Sequence, residues 1–339
     1  MCPLSRKLKF VQFTHPGGEH TVSRSELKAG IKNWNTREHR RKFLKAQGQV
    51  VSGASLSAPQ DLLFWGEWEP YSFVKKLTGF VGSGVMPKYV HEPFIKLYYG
   101  NVSITPPSYR LKVTPATLPA GSEIIANNSC GSMCFQNTDP FVFNDYFLYS
   151  LCKQVHFVNL RYLDRGSIVL FGSTISSKNG DPCFVVDTVF VVDVWKEYRP
   201  GNAKAELSGF IPTYYDGIMR FDYTGRIAKE ELTCYHGATF HQPVNGMFSF
   251  VPCKPCDNNS KVGFSRPIIS STDFPGILND NLNSSPKYSG IGSLIEMKTI
   301  WDKLCNVIKS QGFELGVNFK YKVIPKTGIS TNKLKNQII

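Results

Sequence analysis

The sequence predicts an α+β fold, a single large domain with a mixed or mainly antiparallel twisted sheet flanked by N- and C-terminal helices. Three observations lead there. The 339 residues include 24 Phe, 15 Tyr, 28 Gly and 21 Pro, a balance that favours short strands and turns over long helices. Alternating apolar stretches run from about residue 61 to 251, and helical patterns bracket them. A strand–helix–strand alternation regular enough for a doubly wound sheet is absent. With 42% hydrophobic residues the chain can bury a sizeable core. The domain is expected over 1–324, with a basic helical segment at 23–46 inserted after the first strand and a basic flexible tail at 325–339.

Each element follows from local pattern. Residues 9–13 alternate as a first strand and run into the Gly-rich stretch His15-Pro16-Gly17-Gly18-Glu19-His20. Ser23 and Glu26 have capping-box spacing and open a helix to about Asn33. Asn35 or Thr36 caps a second helix through Lys45, which carries Arg37, Arg40, Arg41, Lys42 and Lys45. Residues 61–70 read as a strand with Trp65, Glu67 and Glu69 on one face and Phe64 and Trp68 on the other. Further strands are expected at 94–99, 167–173, 183–195, 210–215, 236–240 and 246–251. Polar loops are expected at 99–122 and 254–290. Asp139 or Asn144 caps a helix through about Lys153. Ser293 and Glu296 open the strongest helix, whose apolar stripe is Met297, Ile300, Trp301, Leu304, Val307 and Ile308. Gly312 ends it, and a closing strand follows at 314–324.

Charge narrows the partner class. Residues 1–50 hold eleven Lys/Arg against three Asp/Glu, and residues 295–339 hold eight against three, which together account for the whole formal charge of +13. A neutral body with basic ends suits a scaffold that holds a polyanion, since Lys/Arg near phosphates release counterions. No apolar run is long enough to span a membrane, and the start lacks the apolar region of a signal peptide. Nine scattered cysteines fit reduced thiols in a cytoplasmic protein. Cys130, Cys134, Cys253 and Cys256 offer four thiolates at a spacing loose for zinc, so no metal is expected. The phosphate-binding, dinucleotide, zinc-protease and serine-hydrolase motifs are all missing, and no cofactor is expected. Nothing in the sequence marks an oligomeric state.

Four constellations stand out. His15 and His20 flank glycines at a strand end, where they can bind or exchange protons, or simply form a solvated turn. Glu67 lies beside Trp65, and an aromatic wall raises a carboxylate pKa by desolvation. Asn137 and Asp139 suit either a turn or a pocket rim, with Asn137 reading a base edge and Asp139 as working carboxylate. Asp187 falls mid-strand among Val185, Val189 and Val191, where an ionised carboxylate needs a partner or a site.

Residues 13–20, 65–70, 137–141 and 246–250 resemble a prokaryotic family tied to modified DNA and phage defence, whose characterised member class is an anti-phage DNA glycosylase that removes glucosylated hydroxymethylcytosine. Only Asp139-Pro140-Phe141 and His15-Pro16 echo the motifs of the uracil-excising enzymes, and in reversed order. The resemblance implies a DNA-binding enzyme that hydrolyses the N-glycosidic bond of a modified base. Asp139 or Glu67 would be the carboxylate near C1′, His15 or His20 would support the leaving base, and Asn137 would read its edge. Arg37, Arg40, Arg41 and Lys42 would hold phosphates, Trp34 or Trp65 would stack, and Asp187 would line the substrate site. Two alternatives stay open: a non-enzymatic modified-base reader built on a PUA-like β-barrel, with residues 166–173 and 183–192 in its wall, and a structural or toxin-neutralising interaction protein.

Overall fold

The computed structural model describes residues 5–15, 41–68, 72–76, 79–81, 89–96, 122–125, 138–176, 182–212, 215, 226–256 and 262–324. In chain order the strands are β1 (Lys9–Thr14), β2 (Lys42–Ser52), β3 (Ser55–Leu56), β4 (Gln60–Gly66), β5 (Ser72–Lys76) and β6 (Gly79–Val81). They continue with β7 (Tyr89–Lys96), β8 (Ser122–Ile125), β9 (Leu148–Tyr149), β10 (Ile168–Ser176), β11 (Pro182–Tyr198) and β12 (Leu232–Gly237). The last are β13 (Val251–Pro255), β14 (Val262–Phe264), β15 (Ile268–Ile269), β16 (Lys287–Gly290), β17 (Glu314–Lys320) and β18 (Lys322–Ile324). Two α-helices are described, the single turn α1 (Ala203–Glu206) and α2 (Leu294–Ser310).

The strands form two main sheets. One runs β16-β1-β10-β11-β12-β9 with β15 on β11, and only its β1–β10 pairing is parallel. The other runs β17-β13-β4-β2-β7-β5-β8, with β18 beside β7. Because β17 also pairs with β2, the strands β2, β4, β13 and β17 are hydrogen-bonded in a closed cycle. Gly316 permits that closure: a Cβ there would stand 2.6 Å from the Phe319 ring and 2.7 Å from Cys253 Sγ. Val189 and Phe250 exchange both backbone hydrogen bonds at 2.9 Å and join the two sheets.

Alternation along each strand feeds two cores. Val11, Phe13, Leu44, Phe64, Trp68, Phe171 and Phe190 belong to the first. Phe10, Phe43, Leu63, Trp65, Leu170 and Val189 belong to the second, which α2 covers. The central strands are therefore apolar on both faces. The helix covers its core with Met297, Ile300, Trp301, Leu304, Cys305 and Ile308, while Val307 sits at the edge. Each fully buried side chain of this kind contributes about 1.5–3 kcal/mol. Ser293 Oγ accepts from the Glu296 N–H at 3.1 Å, and Glu296 Oε2 accepts from the Gly292 N–H at 3.0 Å. Gly312, at φ +76°, follows its end.

The α+β class and the mixed sheet hold, but the flanking helices do so only in part. The C-terminal helix is present as expected. The second N-terminal helix is overturned where it can be seen, because residues 42–45 open β2. Phe43 and Leu44 there serve opposite cores at period 2, which outweighs the helical propensity of the basic run. Residues 23–40 and 325–339 lie outside the described residues. The helix expected up to Lys153 is replaced by β9 and turns, with Asn144, Asp145 and Lys153 at φ between 56° and 63°. Residues 210–212 belong to the turn after α1, where the Ile211 N–H donates to Leu207 O, and form no strand. The expected 254–290 loop includes β14, β15 and β16.

Candidate active site

One end of each sheet contributes to a single buried cluster. β1 delivers His15 just beyond its last residue, where its N–H donates to Gly172 O at 2.7 Å. Arg41 immediately precedes β2, and Glu67 immediately follows β4. β11 delivers Asp187 through a bulge: Phe171 pairs with Thr188 and Gly172 with Val186, leaving Asp187 as the extra residue. Gly172 is required at that point, since a Cβ would lie 2.1 Å from Val185 O. The loop after β9 adds Cys152 and Lys153.

Arg41 is the hub. Its Nε donates to Asp187 Oδ2 at 2.5 Å, and its Nη1 donates to Glu67 Oε2. Arg266 reaches the same Asp187 oxygen at 3.3 Å, donates to Ser173 Oγ at 2.6 Å, and stands over the Trp65 ring at 5.5 Å. All four charged side chains are buried, with relative exposures of 0–1%. Two cations face two carboxylates, so the quartet is balanced. Burial works against the charge on Arg41, but Asp187 and Glu67 outweigh it and hold the guanidinium protonated more firmly than usual. His15 lies beside this quartet, its Nε2 3.8 Å from Glu67 Oε2 and 3.4 Å from Cys152 Sγ. Burial pushes the Cys152 thiol well up, with Glu67 and Asp139 adding to the effect, so it stays protonated. Arg41 Nη2 and Thr14 Oγ1 are buried polar atoms with no hydrogen-bond partner among the described residues.

Asp139 organises the neighbouring loop. Its carboxylate accepts from the N–H groups of Ser150, Leu151 and Cys152 at 3.0, 2.7 and 2.6 Å, ahead of a cis peptide to Pro140. Burial raises this carboxyl to about 6 against the pull of the three N–H donors, and Glu67 adds to the rise. Lys153, which follows Cys152, has φ 63°, a left-handed conformation that costs a side-chain-bearing residue about 1–2 kcal/mol. Its ammonium donates to Thr14 O and Ser284 O.

Of the residues singled out from the sequence, the structure brings together His15, Arg41, Glu67 and Asp187, with Asp139 one loop away. Arg41 and Lys42 are buried rather than arrayed on an exposed helix, and Lys42 Nζ donates to Trp68 O. Trp65 is likewise an interior residue. It donates to Phe264 O at 2.6 Å and packs on Phe43. His20, Trp34, Arg37, Arg40 and Asn137 lie outside the described residues, as do Cys130 and Cys134. Cys253 is a buried free thiol, and among the described residues no group of three or more His, Cys, Asp or Glu could hold a metal ion.

Sequence reasoning missed Arg266, Cys152 and Lys153. The demand of Asp187 for a partner was the one available signal, and it did not say which cation would answer. No helix among the described residues is long and apolar enough to cross a membrane. No protein-family model, curated protein or solved structure matches the chain.

Proposed function

We propose that the protein is a DNA-binding enzyme of phage defence that hydrolyses the N-glycosidic bond of a modified cytosine, with Glu67 as its working carboxylate. The observation that supports this reading is the convergence of Glu67, His15, Arg41 and Asp187 from four strands of two sheets. A reader of modified bases needs an aromatic recess without such a carboxylate, and an interaction protein needs neither. Cleavage builds positive charge on the sugar, and an ionised carboxylate in a low-dielectric site stabilises that charge. Arg41 Nη1 donates to Glu67 Oε2 in that buried site. The C1′–N bond breaks with its electron pair on the base, water adds to C1′, and the proton of that water passes by way of Glu67 and His15 to the departing base. Asp139 acts through the 150–152 turn, as a positioning residue.

The test compares two variants that each unbalance the quartet by one charge. Glu67→Gln should slow base release from glucosylated hydroxymethylcytosine DNA on the order of 10²–10³-fold, with DNA affinity nearly unchanged. The reason is that the lost interaction acts mainly in the transition state. Asp187→Asn should cost stability and leave more of the activity. Full activity in Glu67→Gln, scored as abasic sites per duplex, would remove Glu67 from the chemistry. A wild-type protein that binds modified DNA and releases no base would be a reader.

A further inference from the structure

We propose that Lys153 and Lys287 form a phosphate-binding pair at the outer side of His15, seating a phosphodiester of the bound strand. The phosphate site stands on the geometry below, and the strand as its source rests on the reading proposed above. Lys287 opens β16 and lies opposite Gln12 of β1, two residues before Thr14. Lys153 reaches the same strand end from the loop after β9, through Thr14 O.

The two ammoniums converge on three consecutive residues. Lys153 donates to Ser284 O, and Lys287 donates to Asn283 Oδ1 and to Ser285 O, the last at 3.0 Å. A ladder of Asn side chains shapes that segment. Asn279 Oδ1 accepts from the Asn281 N–H at 2.7 Å, Asn281 Oδ1 from the Asn283 N–H at 3.3 Å, and Asn283 Oδ1 from the Ser285 N–H at 3.1 Å. With the N–H groups satisfied by Asn, the carbonyls are left for the lysines.

Every one of these acceptors is neutral. Among the described residues neither ammonium meets a carboxylate, whereas Lys45, Lys298 and Lys320 each pair with an Asp at 2.8, 2.6 and 3.4 Å. Each ammonium makes two hydrogen bonds to the protein. Lys153 also stands over the Phe13 ring at 5.0 Å, a contact weaker than a charge-assisted bond to an anion, and Lys287 has its third N–H for a ligand. Desolvation first, and then the charge of Lys287, lowers Lys153 to about 8. An anion between the two would relieve that repulsion. The left-handed backbone at Lys153 adds an independent argument. Gly or Asn fits φ 63° more easily, and strain held at such a position points to use of the side chain.

The test uses the full chain and an unmodified single-stranded dT12 probe. Lys153→Asn suits the left-handed backbone, so its fold is retained, and Lys287→Gln keeps a polar side chain. Each should weaken binding roughly 3–10-fold and lower the slope of log K against log salt by about 0.7. Lys153→Arg with Lys287→Arg should restore most of both. A double Asn/Gln variant with wild-type affinity and slope would overturn the pair. A second measurement uses the wild type alone: dT12 should slow acetylation of Lys153 and Lys287 relative to Lys298, read by mass spectrometry, and equal labelling of all three would overturn the proposal. Protection by inorganic phosphate without protection by dT12 would keep the pair and remove the strand as its source. Protection by dT12 with no base release from any modified duplex would keep the pair and sink the glycosylase reading.

Discussion

Two regions of this molecule bury large side chains by opposite means. Beneath α2, Met297, Ile300, Trp301, Leu304 and Ile308 pack on Phe248, Phe250 and their neighbours, and the one polar edge, the Trp301 indole N–H, donates to Phe248 O at 3.1 Å. At the sheet ends, Arg41, Glu67, Asp187 and Arg266 are as deeply buried and are held by ion pairs with one another. The first region gains stability residue by residue, in proportion to apolar area. The second gains little net stability as a whole, because desolving four charges offsets their attraction, yet it cannot lose one member cheaply. Apolar residues of similar volume would satisfy the fold equally well. That is why we propose the activity at the charged end and not under the helix.

Coupling should separate the regions most sharply. Arg41→Met leaves two carboxylates short of a partner and should cost about 3–5 kcal/mol of unfolding free energy. Adding Glu67→Gln should recover part of that loss, since the second change removes a charge the first left exposed to a poor environment. Leu304→Ala should cost about 2–5 kcal/mol through its cavity, and a second distant core truncation should simply add. Urea melts of wild type, the single variants and the two double variants decide. If Arg41→Met and Glu67→Gln are additive, the quartet is not a coupled unit and the contrast fails.

A pH titration sharpens the same contrast. Asp139, raised to about 6 from an ordinary 3.8, binds its proton more tightly in the folded chain than in the unfolded one. Its contribution is therefore fully present below pH 4 and is lost as pH rises through 6. Over that interval wild type should lose roughly 3 kcal/mol relative to Asp139→Asn, at about 1.4 kcal/mol per unit. A difference curve flat between pH 4 and 6 would mean that the three N–H donors of 150–152 fully offset burial. Leu304→Ala keeps Asp139, so its difference from wild type should stay flat over the same interval.

The same division governed what could be read from the sequence. The α2 stripe and its Ser293 cap are local signals, and β1 and β4 follow from alternation over a few residues. Glu67 and Asp187 were conspicuous because carboxylates are rare in such apolar runs. Arg41 falls on a basic helix expected to hold phosphates, since five cations in ten residues hide the period-2 placement by which β2 sends Phe43 and Leu44 into opposite cores. Arg266 meets Asp187 across 79 residues of chain, and no local pattern announces a pairing of that range. Lys153 gave no sign of its left-handed turn, because the Asp139 carboxylate that shapes it lies on the other side of β9. The apolar half of the molecule is thus written in periodicities, and the charged half in contacts that only the fold creates.

The smallest expected effect tests whether the helix is purely structural. Ser293→Ala removes the acceptor of the Glu296 N–H and should cost about 1 kcal/mol, a fall in melting temperature of about 2–4 °C. Ser293→Thr should restore most of it, since Thr also caps. Glu296 still accepts from Gly292 in both variants, so the helix should persist and only its first turn should fray. Base release and dT12 affinity should stay at wild-type values, because the cap supports only the core beneath α2 and none of the charged quartet. A loss of activity greater than the loss of folded protein in Ser293→Ala, rescued by Thr, would show that the helix positions the site and that the two regions are not separate.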